Sequence, residues 1–151
     1  MIMSASDLKS KVTGTVVVPG DDGYEASLRR WAANAERKAG VVVLPENTSD
    51  VAAAVTSRKT CIMTDGQLDF AKKAGMEVAI SGGGHSASGA SSSEGGLVID
   101  LRQMRQARVD TSTNRVAAQG GCLWIDVEQA LAEHKLATGE TNNGGLCGLM
   151  I

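Results

Sequence analysis

This sequence of 151 residues has few aromatic side chains and few prolines. Aromatic residues make up 3% of it, and there are two prolines. Its hydrophobic residues, 42% of the total, are therefore mainly aliphatic, which suffices for one domain with a core or for part of a larger domain. No apolar run reaches membrane-spanning length, and residues 1–9 contain no apolar segment typical of a signal peptide. By default, these absences predict a soluble, cytoplasmic protein.

Cysteines and excess charge are also scarce. Cys61, Cys122 and Cys147 lie far apart and form no CxxC motif, so neither a disulfide framework nor a metal site is predicted, and we interpret them as small buried side chains. The formal net charge is −2, from 15 Lys+Arg and 17 Asp+Glu, and the basic residues are scattered along the chain. Nucleic acid is therefore not predicted as a partner.

Glycine, in contrast, is abundant, with 18 residues, and the most informative segment is the run Gly82–Gly84, followed by His85 and Ser86. Three consecutive residues without a Cβ atom allow positive φ angles and let several N–H groups turn towards one point, which complements an anion. The histidine that follows would lie beside the bound group. The run predicts a phosphate-binding loop, and a plain glycine-rich surface turn is the alternative.

The apolar pattern predicts several short strands. A continuous apolar run of the kind found in strands buried on both faces occurs at residues 41–44. Residues 15–18, 76–80 and 97–101 are largely apolar and are also predicted to be strands. Residues 104–109 and 115–119 flank a turn sequence at 110–114, which predicts a β-hairpin.

Helices are predicted between these strands. The first begins at a capping box, Asp22 to Glu25, and ends at Gly40. Its apolar face would consist of Tyr24, Leu28, Trp31, Ala32 and Ala35. A second helix, capped by residues 47–50, begins near Val51. A third follows Gly120-Gly121, ends near His134, and has one apolar face formed by Trp124, Val127 and Leu131.

A polar stretch, residues 56–68, interrupts the second of these helices. If it is removed, Val51, Val55 and Ala71 fall on one face of a continuous helix. That helix would lead into the strand 76–80 and give a right-handed parallel β-α-β crossover. We therefore interpret residues 56–68 as an insertion, such as an intervening segment left in a gene model or transcript.

The element after the glycine run is a strand, which excludes two common phosphate-binding loops. A dinucleotide-binding Rossmann loop opens directly into a helix, whose N-terminus receives the diphosphate. A Walker loop requires Gly-Lys-Ser/Thr, which is missing here. Gly84 and Gly89 give only a partial match to GxGxxG. An anion would therefore be held by loop amides alone.

Several short motifs occur together in the order and spacing of one flavoprotein family. They are Asn34–Arg37 followed by Val41–Pro45, Asp50–Val55, Ser81–Ser86, Gly96–Leu101, and Gln119–Gly121 with Trp124. On these motifs, residues 9–150 resemble the FAD-linked oxidases related to berberine bridge enzyme, within the vanillyl-alcohol oxidase and p-cresol methylhydroxylase group. The resemblance implies an α+β fold, the N-terminal part of a p-cresol methylhydroxylase-type FAD-binding domain, with a small parallel β-α-β sheet followed by a mixed or antiparallel sheet.

The resemblance implies FAD as the cofactor and assigns its binding residues. The diphosphate would be held by the backbone N–H groups of Gly82, Gly83, Gly84 and Ser86. The family's histidine at the position of His85 commonly bonds covalently to a methyl carbon of the flavin ring, and a non-covalent FAD beside His85 is the alternative. The other implied positions are Gly89, Thr141, Asn142 and Gly145. Cys147 lies beyond the position of a second flavin link in some relatives, so that role is not assigned to it.

The resemblance also implies a domain organisation. Residues 1–37 would be a lead-in strand and helix, and residues 38–151 an FAD-binding domain that is incomplete at its C-terminus and lacks the substrate domain. Full-length relatives transfer a hydride from an alcohol, sugar or amine-bearing carbon to FAD and then pass the electrons to O2. We therefore expect an FAD-binding part of such an oxidase that is inactive alone, with no catalytic base assigned.

Two alternatives to this function stay open. The first is a non-covalent FAD oxidoreductase of the same fold, and the second is a non-enzymatic module that binds a phosphate-bearing ligand. In each case the expected partners are small molecules, and neither nucleic acid nor a membrane is expected.

Overall fold

The computed structural model of the chain describes residues 5–55 and 77–139, which contain two β-sheets and four short helices. The strands of the first sheet are β1 (Thr15–Val17), β2 (Val41–Leu44), β3 (Val78–Ser81) and β4 (Leu97–Asp100). The second sheet is a hairpin of β5 (Ala107–Asp110) and β6 (Arg115–Ala118). The helices are α1 (Ala5–Lys9), α2 (Tyr24–Leu28), α3 (Thr48–Val55) and α4 (Trp124–Ala132). The predicted α+β class, the strands and the hairpin are confirmed.

The first sheet has the order β1-β2-β4-β3, with β1 antiparallel to β2 and the remaining pairs parallel. Strand β4 lies between β2 and β3, the two strands that the predicted crossover would join. All four residues of β4 are buried, as expected for a central strand that is covered on both faces. The predicted insertion, residues 56–68, and the second half of the predicted crossover helix lie outside the described residues.

Alternate residues of the central strands contribute to two apolar clusters, one on each face of the sheet. One cluster contains Leu8, Val16, Val41, Val43, Ala54, Leu97 and Ile99. The other contains Val17, Tyr24, Leu28, Ala39, Val42, Ala79 and Val98. Helices α1 and α3 therefore cover one face, and α2 covers the other. Across the described part of the chain, no helix is long and apolar enough to cross a membrane.

The predicted first helix is much shorter than expected. Helix α2 begins at Tyr24, after Gly23 with a φ of 82°, and no side chain caps it, so the predicted capping box at Asp22 is wrong. The helix ends at Leu28, because Arg29 is extended with ψ at 136°. Trp31, placed on the buried face by the sequence pattern, is 74% exposed.

Hydrogen bonds to a distant loop explain the early end of α2. The buried Arg30 side chain donates to the carbonyl oxygens of Ser27 and Ser91, at 2.9 and 3.0 Å. The Trp31 amide donates to the Gly84 carbonyl oxygen at 3.2 Å, outside any helical pattern. Tertiary contacts therefore override the helical periodicity of residues 29–35, where only a 3₁₀ turn (Ala33–Ala35) forms.

The other two predicted helices are confirmed. Asn47 Oδ1 accepts a hydrogen bond of 2.9 Å from the Asp50 amide and caps the first turn of α3, as predicted. Helix α4 packs on the hairpin through the buried residues Val127 and Leu131, together with Cys122. The predicted burial of Cys122 is therefore confirmed, whereas Cys61 and Cys147 lie outside the described residues.

We expect Asp50→Asn to lower the free energy of unfolding by about 2–3 kcal/mol at neutral pH. The Asp50 side chain is buried and accepts hydrogen bonds of 2.8–3.0 Å from the amides of Thr13, Gly14 and Glu46. An asparagine would keep one acceptor oxygen and place an N–H2 group against amide donors. Urea unfolding of the variant measures the loss, and Asp22→Asn, an exposed carboxylate, is the control.

The same carboxylate gives the fold an acid dependence. Burial by itself would raise the pKa of Asp50, but the hydrogen bonds to its ionised form outweigh burial and hold the pKa below its ordinary value. Its stabilisation is therefore fully present above the unfolded-state pKa of about 4 and is lost as pH falls through the lower folded-state pKa. Asp50→Asn should remove this component, and an unchanged acid dependence of the unfolding free energy would contradict the assignment.

Candidate functional site

The glycine run forms a loop directly after β3, and its backbone N–H groups are unused. Gly84 has a φ of 68°, in the left-handed region that glycine tolerates. None of the amides of residues 82–86 donates a hydrogen bond to another described residue, although the Gly84 carbonyl accepts one from Trp31. Gly84 is buried, and buried backbone N–H groups rarely stay without an acceptor, so this loop is suited to an anion.

His85 and Ser86 have different positions in this loop. The imidazole of His85 lies over Gly83, since a Cβ atom added to Gly83 would be 2.6 Å from Cδ2 and 3.0 Å from Nε2. It is partly buried, and neither ring nitrogen is hydrogen-bonded to another described residue. The Ser86 hydroxyl lies 3.0 Å from that of Ser88 and accepts a weak bond from the Ala90 amide. Ser86 therefore shapes the loop through its hydroxyl and leaves its N–H group available.

Three arginines line the cleft beside the glycine loop. The cleft has a volume of about 160 Å³, and its walls are Arg29, Arg102, Arg105, Ser81, Gly82, Gly83, Gly84, Gly121 and Leu123. None of these lining residues is acidic. Sequence reasoning missed this cluster, since the basic residues look scattered along the chain.

The sheet topology explains why these arginines meet the loop. The glycine loop follows β3, whereas Arg102 and Arg105 follow β4, and these two strands are parallel neighbours. The carboxyl ends of parallel strands lie at the same edge of a sheet, which is where ligands bind in such folds. Arginines just after the apolar run 97–101 were the signal in the sequence that could have indicated a basic site.

A cluster of buried charged side chains packs against the glycine loop. Asp100 is fully buried and pairs with Arg102 through bonds of 2.6 and 2.9 Å, while Arg30 lies 4.0 Å away on its other side. Burial lowers the pKa of Arg30, and the Asp100 carboxylate partly offsets that effect. A Cβ atom on Gly84 would lie 3.2 Å from Arg30 Cδ, so the arginine stem packs directly against the loop.

A second glycine pair, Gly120 and Gly121, lies beside the loop, and Gly121 lines the cleft. A Cβ atom on Gly82 would be 3.0 Å from the Gly120 carbonyl oxygen, and one on Gly121 would overlap the Leu101 carbonyl oxygen. The backbone of the hairpin exit therefore approaches both the loop and the end of β4 without an intervening side chain.

Arg105 is fixed at the cleft by Asp126. The two side chains form paired bonds of 2.6 and 2.8 Å. Asp126 also accepts a bond of 2.7 Å from the Leu123 amide at the start of α4. The Arg105 hydrogen bond is the main cause that holds the pKa of Asp126 below its ordinary value. Arg105 therefore has a defined position relative to the cleft.

The remaining predicted site residues fall elsewhere. Gly89, with a φ of 83°, lies against the guanidinium group of Arg37 and lines a separate hollow of about 330 Å³. The buried hydroxyls of Ser91 and Ser92, in the same loop, have no hydrogen-bond partner among the described residues. Thr141, Asn142 and Gly145 lie outside the described residues.

The residues present fit a diphosphate ester. Beside Gly82–Gly84 there are amides without an acceptor among the described residues and a cleft that three arginines line. None of the residues that line this cleft is acidic. Phosphate oxygens accept hydrogen bonds from both kinds of donor, and the pairing with guanidinium adds charge.

Comparisons with known proteins agree with this chemistry. A family model described as an FAD binding domain matches residues 66–150. The FAD-linked oxidoreductase pgmH of Aspergillus terreus is 38% identical over 150 residues, which are 95% of this chain and 28% of that protein. The (R)-6-hydroxynicotine oxidase of Paenarthrobacter nicotinovorans is 28% identical over 142 residues, 93% of this chain and 28% of the oxidase. The chain thus spans about 28% of the length of these curated relatives.

Solved structures share the fold. The crystal structure of 6-hydroxy-D-nicotine oxidase from Arthrobacter nicotinovorans superposes with a TM-score of 0.71 at 26% identity, covering 87% of this chain and 26% of that one. Glucooligosaccharide oxidase from Acremonium strictum, described with a 6-S-cysteinyl, 8α-N1-histidyl FAD, gives a TM-score of 0.70 at 20% identity, with coverages of 87% and 25%. The predicted p-cresol methylhydroxylase-type fold is confirmed.

The family match covers residues 66–150 and includes the glycine loop, the arginines that follow β4 and the second glycine pair. The predicted resemblance to berberine bridge enzyme-like oxidases and the predicted FAD cofactor are thereby confirmed. The chain belongs to the family of FAD-binding domains found in FAD-linked oxidoreductases.

Proposed function

We propose that this chain binds FAD at the glycine loop and forms part of the flavin domain of an FAD-dependent oxidase. The observation that carries the proposal is the set of amides at residues 82–86 without an acceptor among the described residues, beside a cleft that Gly82–Gly84 line together with three arginines. Bound FAD would supply the ring that accepts a hydride. The amides of Gly82–Ser86 would hold and orient the diphosphate, and the buried pair of Arg30 and Asp100 would keep the loop in position.

We further propose that His85 is the attachment point of the flavin. It directly follows the glycines, and its ring nitrogens have no partner among the described residues. Joining a ring nitrogen to a methyl carbon of the flavin breaks one N–H and one C–H bond. The two electrons and two protons that are released pass to dioxygen and give hydrogen peroxide. Non-covalent FAD is the second candidate, favoured by the imidazole lying over Gly83.

The proposed reaction of the full-length enzyme is hydride removal from an alcohol, sugar or amine-bearing carbon, followed by electron transfer to O2. We expect no turnover from this chain alone. Its arginine cleft, of about 160 Å³, is smaller than the roughly 300–1,000 Å³ of pockets that enclose whole small-molecule ligands. No catalytic base is assigned.

Incubation with FAD followed by gel filtration tests the proposal. We expect flavin absorbance to elute with the protein, with quenching of tryptophan fluorescence, since exposed Trp31 adjoins the loop through its bond to Gly84. Protein eluting without flavin and with unchanged fluorescence would overturn FAD binding. Acid precipitation then tests the covalent bond.

In acid-precipitated wild-type protein we expect yellow colour to stay with the pellet. His85→Ala should release the flavin into the supernatant, because the attachment atom is missing. His134→Ala is the matched control, since that exposed histidine follows α4 and lies outside the cleft, and its pellet should stay yellow. A wild-type protein that binds FAD but gives a colourless pellet supports the non-covalent candidate.

A further inference from the structure

The three arginines of the cleft differ in how many of their guanidinium N–H groups already donate hydrogen bonds. Arg102 is the most engaged, with four of its five N–H donors bonded: Nε and Nη2 bond to Asp100 at 2.9 and 2.6 Å, Nη2 also donates to the Ser27 carbonyl oxygen at 3.4 Å, and Nη1 donates to the Ala26 carbonyl oxygen at 3.3 Å. Arg105 is half engaged, because Nε and Nη2 bond to Asp126 and Nη1 has no partner among the described residues. The Arg29 carbonyl oxygen accepts a hydrogen bond of 2.8 Å from Arg30, but the Arg29 guanidinium group has no hydrogen bond or ion pair with any described residue, and it lines the cleft from an exposed position.

We infer that Arg29 and the free edge of Arg105 are the cationic contacts of the diphosphate, whereas Arg102 is a positioning residue. This inference rests on the proposed FAD-binding function and specifies which side chains give it affinity. A guanidinium group with two neighbouring free N–H donors can bind phosphate oxygens in a bidentate way, and one with a single free donor, such as Arg102, cannot.

Charge balance around the cleft supports the same division. Asp100 and Asp126 neutralise Arg102 and Arg105, respectively, and Arg30 lies between Asp100 and Glu36, whereas Arg29 has no anionic partner among the described residues. Positive charge is therefore left over on the loop side of the cleft, where the unused amides lie. The ligand class that this arrangement recognises is a diphosphate ester, and an uncharged flavin without phosphates would lose these contacts.

Calorimetric titration with FAD, ADP and riboflavin tests this inference. For Arg29→Gln we expect at least about a tenfold loss of affinity for both FAD and ADP, as for one charge-assisted hydrogen-bond pair. For Arg105→Gln we expect about a threefold loss, because one edge is available. Arg115→Gln, in the exposed strand β6, is the matched control and should change affinity less than about twofold. Riboflavin should bind weakly and equally to all four proteins.

The salt dependence of ADP affinity distinguishes a direct phosphate contact from a purely structural role of Arg29. A structural role would leave this salt dependence unchanged. Raising NaCl from about 0.05 to about 0.5 M should weaken ADP binding to the wild type more than to Arg29→Gln, since screening acts on the charge that the variant lacks. Thermal unfolding of Arg29→Gln should match the wild type, because this side chain bonds to no described residue.

The outcomes separate the inference from the proposed function. If wild-type protein binds FAD and Arg29→Gln binds it as Arg115→Gln does, the inference is overturned and FAD binding stands. If wild-type protein binds neither FAD nor ADP, the proposed function is overturned, and the inference with it.

Discussion

Replacing Asp100 by asparagine is expected to lower the free energy of unfolding by about 3–5 kcal/mol. Asp100 is fully buried at the end of the central strand and pairs with Arg102 and Arg30. The Arg30 side chain is only 1% exposed, so the variant would leave a buried guanidinium group without its main anionic neighbour, with Glu36 acting on it more weakly. A charge left unpaired in the interior costs more than the pair contributes, which is why the expected effect is large.

We expect Asp100→Asn to disturb the cofactor site as well. Arg30 packs against Gly84, and Arg102 lines the cleft, so both walls of the loop depend on this carboxylate. Equilibrium unfolding in urea, followed by circular dichroism, measures the stability, and FAD titration of the folded variant measures the loop. We expect weaker binding of FAD even under conditions in which Asp100→Asn is folded.

Two comparison variants make the assignment specific. Arg102→Gln removes the more exposed partner, with a side chain 42% exposed, and should cost less than Asp100→Asn, because the buried Asp100 carboxylate keeps Arg30 as a cationic neighbour. The double variant Arg30→Met with Asp100→Leu removes both buried charges and should be more stable than Asp100→Asn, since apolar replacements of a buried pair are often tolerated. An Asp100→Asn variant as stable as Arg102→Gln would show that Arg30 does not depend on Asp100.

The strands could be predicted from the sequence because their signal is local. Residues 41–44 are apolar without interruption and residues 97–101 are apolar except for Asp100, and a strand that is buried on both faces needs such a pattern. The hairpin and α4 follow from turn residues and from helical spacing in the same way. The order β1-β2-β4-β3 does not follow from these signals, since it depends on which strands pair in space.

Residues 29–35 show where local reasoning fails. Their apolar spacing predicts a helix, but Arg30 and Trp31 instead bond to residues more than 50 positions later in the chain. The same contacts bring Arg29 to the glycine loop. The amide loop could thus be predicted from three adjacent glycines, whereas the arginine cluster could not, because Arg29 reaches it from a distant part of the chain.

Gly120 and Gly121 look equivalent in the sequence, where they mark the end of the hairpin, but the structure gives them different roles. A Cβ atom on Gly120 would lie 2.8 Å from Leu101 Cδ1, the end of a flexible side chain that can move away. A Cβ atom on Gly121 would overlap the carbonyl oxygen of Leu101, which belongs to the backbone after β4. The Gly121 amide also donates to the Met104 carbonyl oxygen at 3.0 Å, so this segment is held on both sides.

We therefore expect Gly121→Ala to lower the free energy of unfolding by at least about 3 kcal/mol, at the upper end of the range for overpacking, and Gly120→Ala by less than about 1 kcal/mol. Because Gly121 lines the cleft and Leu101 leads to Arg102, any Gly121→Ala protein that folds should also bind FAD more weakly. Urea unfolding and FAD titration of the two alanine variants measure both effects. If the two variants lose equal amounts of unfolding free energy, the backbone beside Gly121 can move to accommodate a Cβ atom. The close approach at Gly121 would then not be what fixes the arginines beside the loop.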